Sequence, residues 1–255
     1  MVLFSEITLN FGGGPTGLAG RNGCGKSTLL RLPAGEVEPG AGTITRAGTV
    51  GWMRQEVRLE VRQPGGSIAQ ALGIAGGLAC IGRLLRGEGS AEDASAADWS
   101  LEDRLTDALT RAGLAGIAPS HPFGTLSGGQ RARLALARVL QEAPDILLLD
   151  EPTNNLNAGG RTLIAELLRG WRGCVIVASH DRALLACVDR IAEITNGRAI
   201  SFGGPWPVFA AARAARLEAA RSALDHAEQA SRRRHRARDQ GQAQCLDGTG
   251  RGPRP

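Results

Sequence analysis

Lysine is almost missing from this chain. Of the 30 Lys and Arg residues in 255, a single one, Lys26, is lysine. Every other cation is the broad planar fork of arginine, so the lone compact ammonium marks a place that an arginine would not fit. Long apolar runs are missing too. The most apolar uncharged stretch, "IAQALGIAGGLACIG" at 68–82, carries four glycines and falls short of the roughly 20 residues that a membrane span needs. It predicts a packed helical segment. The opening "MVLFSEITLNFGG" has no basic n-region and no apolar core, so no secretory leader is expected. Cysteine is sparse: Cys24, Cys80, Cys174, Cys187 and Cys245 are scattered, with no C-x-x-C pair and no histidines at metal spacing. That excludes a zinc framework and predicts reduced thiols in a cytoplasmic protein.

What is present sets the scale. A hydrophobic content of 42% over 255 residues supports one large domain and an appendage, with no room for two full-size nucleotide-binding domains. The formal charge of +5 and pI near 9.5 incline the surface toward polyanions such as nucleic acid. A basic surface without such a partner fits the charge equally well.

Along the chain, "TGLA", the glycine-rich turn and "KSTLLRL" read as strand, loop and helix. "GTVGWMRQ" (48–55) reads as a strand with a polar end. From about 60 to 125 the pattern turns helical. Its clearest piece is "SLEDRLTDALTRAG": Ser100 and Asp103 have capping-box spacing, Leu101, Leu105, Ala108 and Leu109 share a face, and Gly113 supplies the stop. "DILLLD" (145–150) and "CVIVAS" (174–179) are continuous apolar runs, as in central strands of a parallel sheet covered on both faces. "RTLIAELLRGW" between them predicts a crossover helix. "TNGRAISFGGPWPVF" (195–209) is rich in turn formers and closes the domain. A charged, alanine-rich helix is predicted from Ala210 to Arg238; residues 211–240 hold eight Arg against four acids. Leu217 and Leu224 give it a thin apolar face that needs a partner. Residues 241–255 are low in complexity and expected to be disordered.

The lone lysine belongs to G-x-x-x-x-G-K-S, Gly20 to Ser27. Gly20, Gly23 and Gly25 let backbone N–H groups turn toward phosphate oxygens, Lys26 adds a point charge, Ser27 can ligate Mg²⁺, and the helix N-terminus adds its dipole. A fortuitous glycine-rich turn is the competing reading. "LLLDEPTNNL" ends a strand in Asp150 and Glu151, where α/β sheets hold their ligands. Asp150 suits Mg²⁺ and Glu151 suits polarising a water; an ordinary acidic turn would look the same. "LSGGQ", Leu126 to Gln130, is either a second anion site or a helix cap. In "ASHDR", His180 follows a strand at its carboxyl end, where a γ-phosphate would lie, although a lone histidine is more often structural. Gln55 is a further candidate for Mg²⁺ or water.

In this order and spacing, "GRNGCGKST", "LSGGQ", "LLLDEPT" and "SHD" resemble the phosphate loop, signature, Walker B and switch-histidine elements of the ATP-binding cassette (ABC) ATPases. Gln55 stands where their Q-loop glutamine would be. The resemblance covers roughly residues 1–204. It implies an α/β P-loop NTPase fold, with a RecA-like parallel core and a helical subdomain at about 60–140. It implies ATP and Mg²⁺ as cofactors. Nucleotide contacts would run through Gly20, Asn22, Gly23, Cys24, Gly25, Lys26, Ser27 and Thr28, with no chemistry assigned to the Cys24 thiol. Metal contacts would come from Ser27, Gln55 and Asp150, and catalysis from Glu151, His180 and Gln55. Two cassettes of this family sandwich two nucleotides. Ser127, Gly128, Gly129 and Gln130 are therefore expected to act on a nucleotide held by a second cassette, in a homodimer or from another chain.

"EPTNNL", "SHDRALL" and the charged helix that follows look like the ABC-F branch, in which two tandem cassettes joined by a long helical linker act mostly on ribosomes. Residues 205–240 then correspond to the start of that linker and would meet rRNA or tRNA phosphates; a solvated surface helix is the plainer reading. No membrane insertion and a cytoplasmic location follow from the branch. Some features depart from it. Phe11 stands nine residues before Gly20, which leaves no room for the usual strand pair, shortens the N-terminal β-subdomain and argues against adenine stacking by Phe11. Pro33 is expected to end the post-loop helix early. Asn157 replaces an Asp, and a second cassette is not found. A ribosome-associated ATPase, a transporter's ATPase subunit and a truncated nucleotide-binding module without turnover all remain open.

Overall fold

The computed structural model describes residues 3–54, 65–154 and 156–248, with side chains through residue 229. It divides into two compact units, Met1–Trp206 and Pro207–Pro255. The first is organised by a six-stranded sheet of β1 (Gly14–Gly20), β2 (Val50–Met53), β3 (Ile146–Asp150), β4 (Cys174–Ala178), β5 (Arg190–Thr195) and β6 (Arg198–Gly203). The strand order is β2-β3-β4-β1-β5-β6, parallel throughout except for the β5–β6 pair. Leu147, Leu148, Leu149, Val175 and Val177 are all 0% exposed, as their unbroken apolar runs predict for strands covered on both faces. Ala178 of β4 pairs with Asp150 of β3 on one side and Leu18 of β1 on the other. Three carboxyl ends therefore open side by side.

The sheet is larger than the sequence reading expects. Residues 190–203 form a β-hairpin around Asn196 and Gly197, with φ of 51° and 73°. These left-handed positions make the tight turn whose twist matches the flanking strands. Turn formers at 195–209 had masked the alternation of the second strand.

Helix α1 (Lys26–Ala34) contains Pro33 and ends one residue later on Gly35, whose φ of 77° closes the last turn through N–H bonds to Arg31 and Leu32 carbonyls. Pro33 does not itself stop the helix: so close to the end, its missing N–H removes only one bond. The apolar stretch at 68–82 is split into α2 (Ile68–Ala71) and α3 (Ala75–Leu85) by Gly73, with φ of 78°. Helices α4 (Ala91–Ala96), α5 (Leu101–Arg111) and α6 (Gly128–Leu140) complete this helical part. Helix α5 buries Leu101, Leu105, Ala108 and Leu109 as predicted. Its expected Ser100–Asp103 capping box does not form. Ser100 has helical backbone angles, which point its hydroxyl away from the first turn, and that hydroxyl donates to Asp98 at 2.7 Å instead.

Crossover helix α7 (Ala158–Gly170) begins on Asn157, whose side-chain oxygen accepts the Gly160 N–H at 3.0 Å. The short α8 (Arg182–Leu185) follows β4. Among the described residues before β1 there is no strand. Phe4, Leu9 and Phe11 pack instead, with Leu32 of α1, against a core cluster that includes Leu18, Leu30, Leu148 and Ile176. Each fully buried leucine there contributes roughly 1.5–3 kcal/mol relative to exposure.

Helix α9 (Trp206–Gly248) runs 43 residues, about 65 Å at 1.5 Å per residue. It continues past residue 240, into the segment expected to be disordered. The added "GQAQCLDG" is mostly compatible with helix, and a single Gly241 costs only about 1 kcal/mol. Leu217 and Leu224 are exposed along it. Among the described residues no helix is long and apolar enough to cross a membrane.

Candidate functional site

The site grows from the carboxyl ends of β1, β3 and β4. After β1 the chain turns through Gly23 and Gly25, with φ of 77° and 102°, conformations that only glycine adopts without strain. That turn aims the N-terminus of α1 at a cavity of about 450 Å³. Lys26, only 8% exposed, donates to the Gly20 carbonyl at 3.1 Å and to that of Arg21 at 3.4 Å. The ammonium thus lies along the floor of its own loop.

Across the cavity, Asp150 ends β3. It is 4% exposed, and among the described residues its buried Oδ1 has no hydrogen-bond partner. Burial pushes its carboxyl above the usual range; the Ser27 hydroxyl opposes that shift, and the Glu151 charge adds to it. A buried carboxylate oxygen left unpaired beside a hydroxyl fits a small divalent cation that is bound through one or two carboxylates, phosphates and water. Among the described residues no cluster of three or more His, Cys, Asp or Glu could hold a metal. Phosphate oxygens would have to complete the shell.

Glu151 sits in a left-handed conformation with φ of 49°, held by its N–H bond to the Ala178 carbonyl at 2.8 Å. Its Oε2 lies 2.9 Å from His180 Nδ1 and accepts from the Ser179 hydroxyl at 3.5 Å. The Ser179 oxygen in turn accepts the Asp181 N–H at 3.1 Å, so its proton is left for Glu151. One carboxylate oxygen is thus pinned twice.

Of the residues expected from sequence, Asn22, Gly23, Gly25, Lys26, Ser27, Thr28, Asp150, Glu151 and His180 line this one cavity. Gly20 contributes its carbonyl to Lys26. Cys24 turns away, packing on the core with its sulfur 2.5 Å from the point where a Gly20 Cβ would stand. Ser127, Gly128, Gly129 and Gln130 are not part of the cavity lining. They start α6, where Ser127 and Gln130 exchange both bonds of a capping box, at 3.3 and 2.9 Å. Gln55 lies outside the described residues. Phe11 accepts from the Cys174 thiol at 3.8 Å, at the amino end of β4. Cys174 pairs with Gly14, so Phe11 lies about 20 Å from the phosphate loop at 3.3 Å per strand residue.

Three contributors escaped the sequence reading: Asn154 and Leu3 in the cavity lining, and Ser179 beside Glu151. Asn154 and Ser179 stand inside stretches already singled out. Nothing in the sequence marks Leu3.

The family described as ABC transporter matches residues 6–154 of this sequence. The chain belongs to the ATP-binding cassette family. Among its curated relatives, the tylosin resistance ATP-binding protein TlrC of Streptomyces fradiae is 35% identical over 244 residues, which is 84% of this chain and 43% of that protein. The energy-dependent translational throttle protein EttA of Mycobacterium tuberculosis is 33% identical over 242 residues, 85% of this chain and 42% of that one. The cassette is of the ABC-F type, and it spans less than half the length of these relatives. A solved dimeric ATP-binding cassette, in a post-hydrolysis state with ADP and Pi, superposes with a TM-score of 0.57 at 24% identity, covering 79% of this chain and 90% of that one. At that identity the likeness establishes the fold.

Proposed function

We propose that this chain binds and hydrolyses Mg-ATP as an ABC-F-type cassette acting on the ribosome, closing on its nucleotide against the signature segment of a second cassette. The observation that carries the chemistry is the Glu151–His180 pair at 2.9 Å, set on the same cavity as Lys26, Ser27 and Asp150. Lys26 exchanges a loop carbonyl for a phosphate oxygen and fixes the chain of phosphates over the N-terminus of α1. Ser27 and Asp150 would hold Mg²⁺, which when bound neutralises phosphate charge. Glu151 accepts the proton of the attacking water, and His180 keeps its carboxylate oriented. Ser127, exposed, and Gly129, half-buried, at the start of α6, are left for the partner's nucleotide.

The ribosomal part of the proposal rests on EttA, a translational throttle protein by name, and on the excess of arginine at 211–240. Counterion release makes such a stretch a phosphate-binding element. Co-sedimentation with ribosomes in Mg-ATP tests it: binding is expected in the full chain and is expected to drop when residues 210–255 are removed. The family's description as ABC transporter supports the rival reading of a transporter's ATPase subunit. That reading predicts no ribosome binding and no effect of the deletion.

A further inference from the structure

Residues 3–5 lie across the phosphate loop. Leu3 lines the same cavity as Lys26 and Asp150. Phe4 Cζ and Leu3 Cδ2 stand 2.6 and 2.8 Å from the point where a Cβ on Gly25 would be, so two apolar side chains are pressed onto the last glycine of the loop. The Ser5 N–H donates to the Gly197 carbonyl at 2.9 Å, tying the segment to the β5–β6 turn. Glu6 follows with φ of 55°, a conformation a non-glycine residue keeps only when its surroundings hold it. Phe4, Leu9 and Phe11 then anchor the chain on the core cluster.

An aliphatic side chain among phosphate-binding groups has nothing to offer a phosphate. It carries no donor and no charge, and an anion pressed against it loses water on that side. A phosphate bound over the N-terminus of α1 is therefore better solvated and better paired with Leu3 moved aside. Phe4 is held by the core cluster, whereas Leu3 rests on Gly25 and on the Gly197 turn beside the Ser5 hydrogen bond, so the Leu3 end is the part that opens locally.

We propose that Leu3–Ser5 is a strap lying over the phosphate end of the nucleotide cavity, so that Leu3 and Phe4 set how tightly and how fast nucleotide enters. The inference rests on the nucleotide-site reading above and is independent of turnover or ribosome binding. A ligand that binds only the open form has its apparent Kd raised by the inverse of the open fraction, and it drives the strap open in turn.

The test is equilibrium and stopped-flow binding of a fluorescent ADP analogue with Mg²⁺ to the full chain and its Leu3→Ala and Leu3→Ala/Phe4→Ala variants. Both variants are expected to bind about tenfold tighter, the value for a cavity open one-tenth of the time, and to associate faster. Because Phe4 also packs on the core, the single Leu3→Ala variant decides the matter if the double variant does not fold. Hydrogen exchange adds a second reading on the parent chain: the Ser5 amide is expected to exchange faster once Mg-ADP is added. Unchanged affinity, or slower Ser5 exchange, overturns the strap. Weaker binding overturns it as well, since it makes Leu3 and Phe4 nucleotide contacts. If parent and variants alike fail to bind, the nucleotide-site reading falls and the strap with it; binding that weakens at least about tenfold with Lys26→Ala in every background upholds that reading separately.

Discussion

Replacing Glu151 by Gln separates the fold from the chemistry. The amide is nearly isosteric and keeps an acceptor oxygen for His180 at 2.9 Å and Ser179 at 3.5 Å, so the left-handed turn after β3 survives. The charge and the capacity to take a proton are lost. Hydrogen bonds to a charged group contribute about 1.5–3 kcal/mol and neutral ones about 0.5–1.5, so stability changes by about 1 kcal/mol, partly offset by relief from burying a carboxylate that is 9% exposed. Loss of a general base slows the chemical step about 10²–10⁴-fold, which is about 2.7–5.4 kcal/mol of barrier. The assay is phosphate release, run beside the molar mass in solution with and without Mg-ATP. Turnover is expected to fall at least about a hundredfold, with nucleotide retained and the 26.6 kDa chain doubling in mass only when Mg-ATP is present. Turnover within a few-fold of the parent refutes Glu151 as the proton acceptor. A folded monomer under both conditions refutes the closing dimer and leaves a nucleotide-holding fragment.

Three further outcomes are expected. Lys26→Ala removes a charge-assisted contact of about 1.5–3 kcal/mol, so the nucleotide Kd measured by titration calorimetry rises roughly ten- to a hundredfold; unaltered affinity would sink the loop assignment. Leu148→Ala, at a position 0% exposed in the central strand β3, is expected to lower the unfolding free energy by about 2–5 kcal/mol in urea titrations. Hydrogen bonds from Arg104 and then Ser100 hold the Asp98 carboxyl down at about 2. Because the folded value lies below the ordinary carboxylate range near 3.9, its contribution is complete above that range and lost as pH falls toward 2. The unfolding midpoints of the parent and Asp98→Asn should differ at pH 6 and converge near pH 2.

Much of the cassette is readable along the chain because its signals are local. The apolar face of α5 follows from the 3.6-residue helical period, and the unbroken runs of β3 and β4 follow from burial of both faces of a parallel sheet. The errors occurred where a local rule met a tertiary one. Ser100 and Asp103 have the right spacing for a capping box, but Asp98 takes the serine's hydroxyl. The hairpin of β5 and β6 was hidden because an edge strand such as β6, mostly exposed, carries no continuous apolar signal. "LSGGQ" reads as an anion site or as a cap, and the single chain displays the cap.

The sequence by itself determined which groups can do chemistry: one lysine among many arginines, glycines where φ must be positive, and a carboxylate pair and a histidine at the ends of apolar strands. These follow from residue type and short-range spacing. Only the tertiary structure decided that they meet. The order β3-β4-β1 brings Asp150, His180 and Lys26 to one opening, leaves one Asp150 oxygen unpaired, sends Phe11 to the far end of the sheet and lays Leu3 over the loop. Strand order and chain crossings are set by the sum of many weak contacts between residues distant in sequence, and no short pattern encodes that sum.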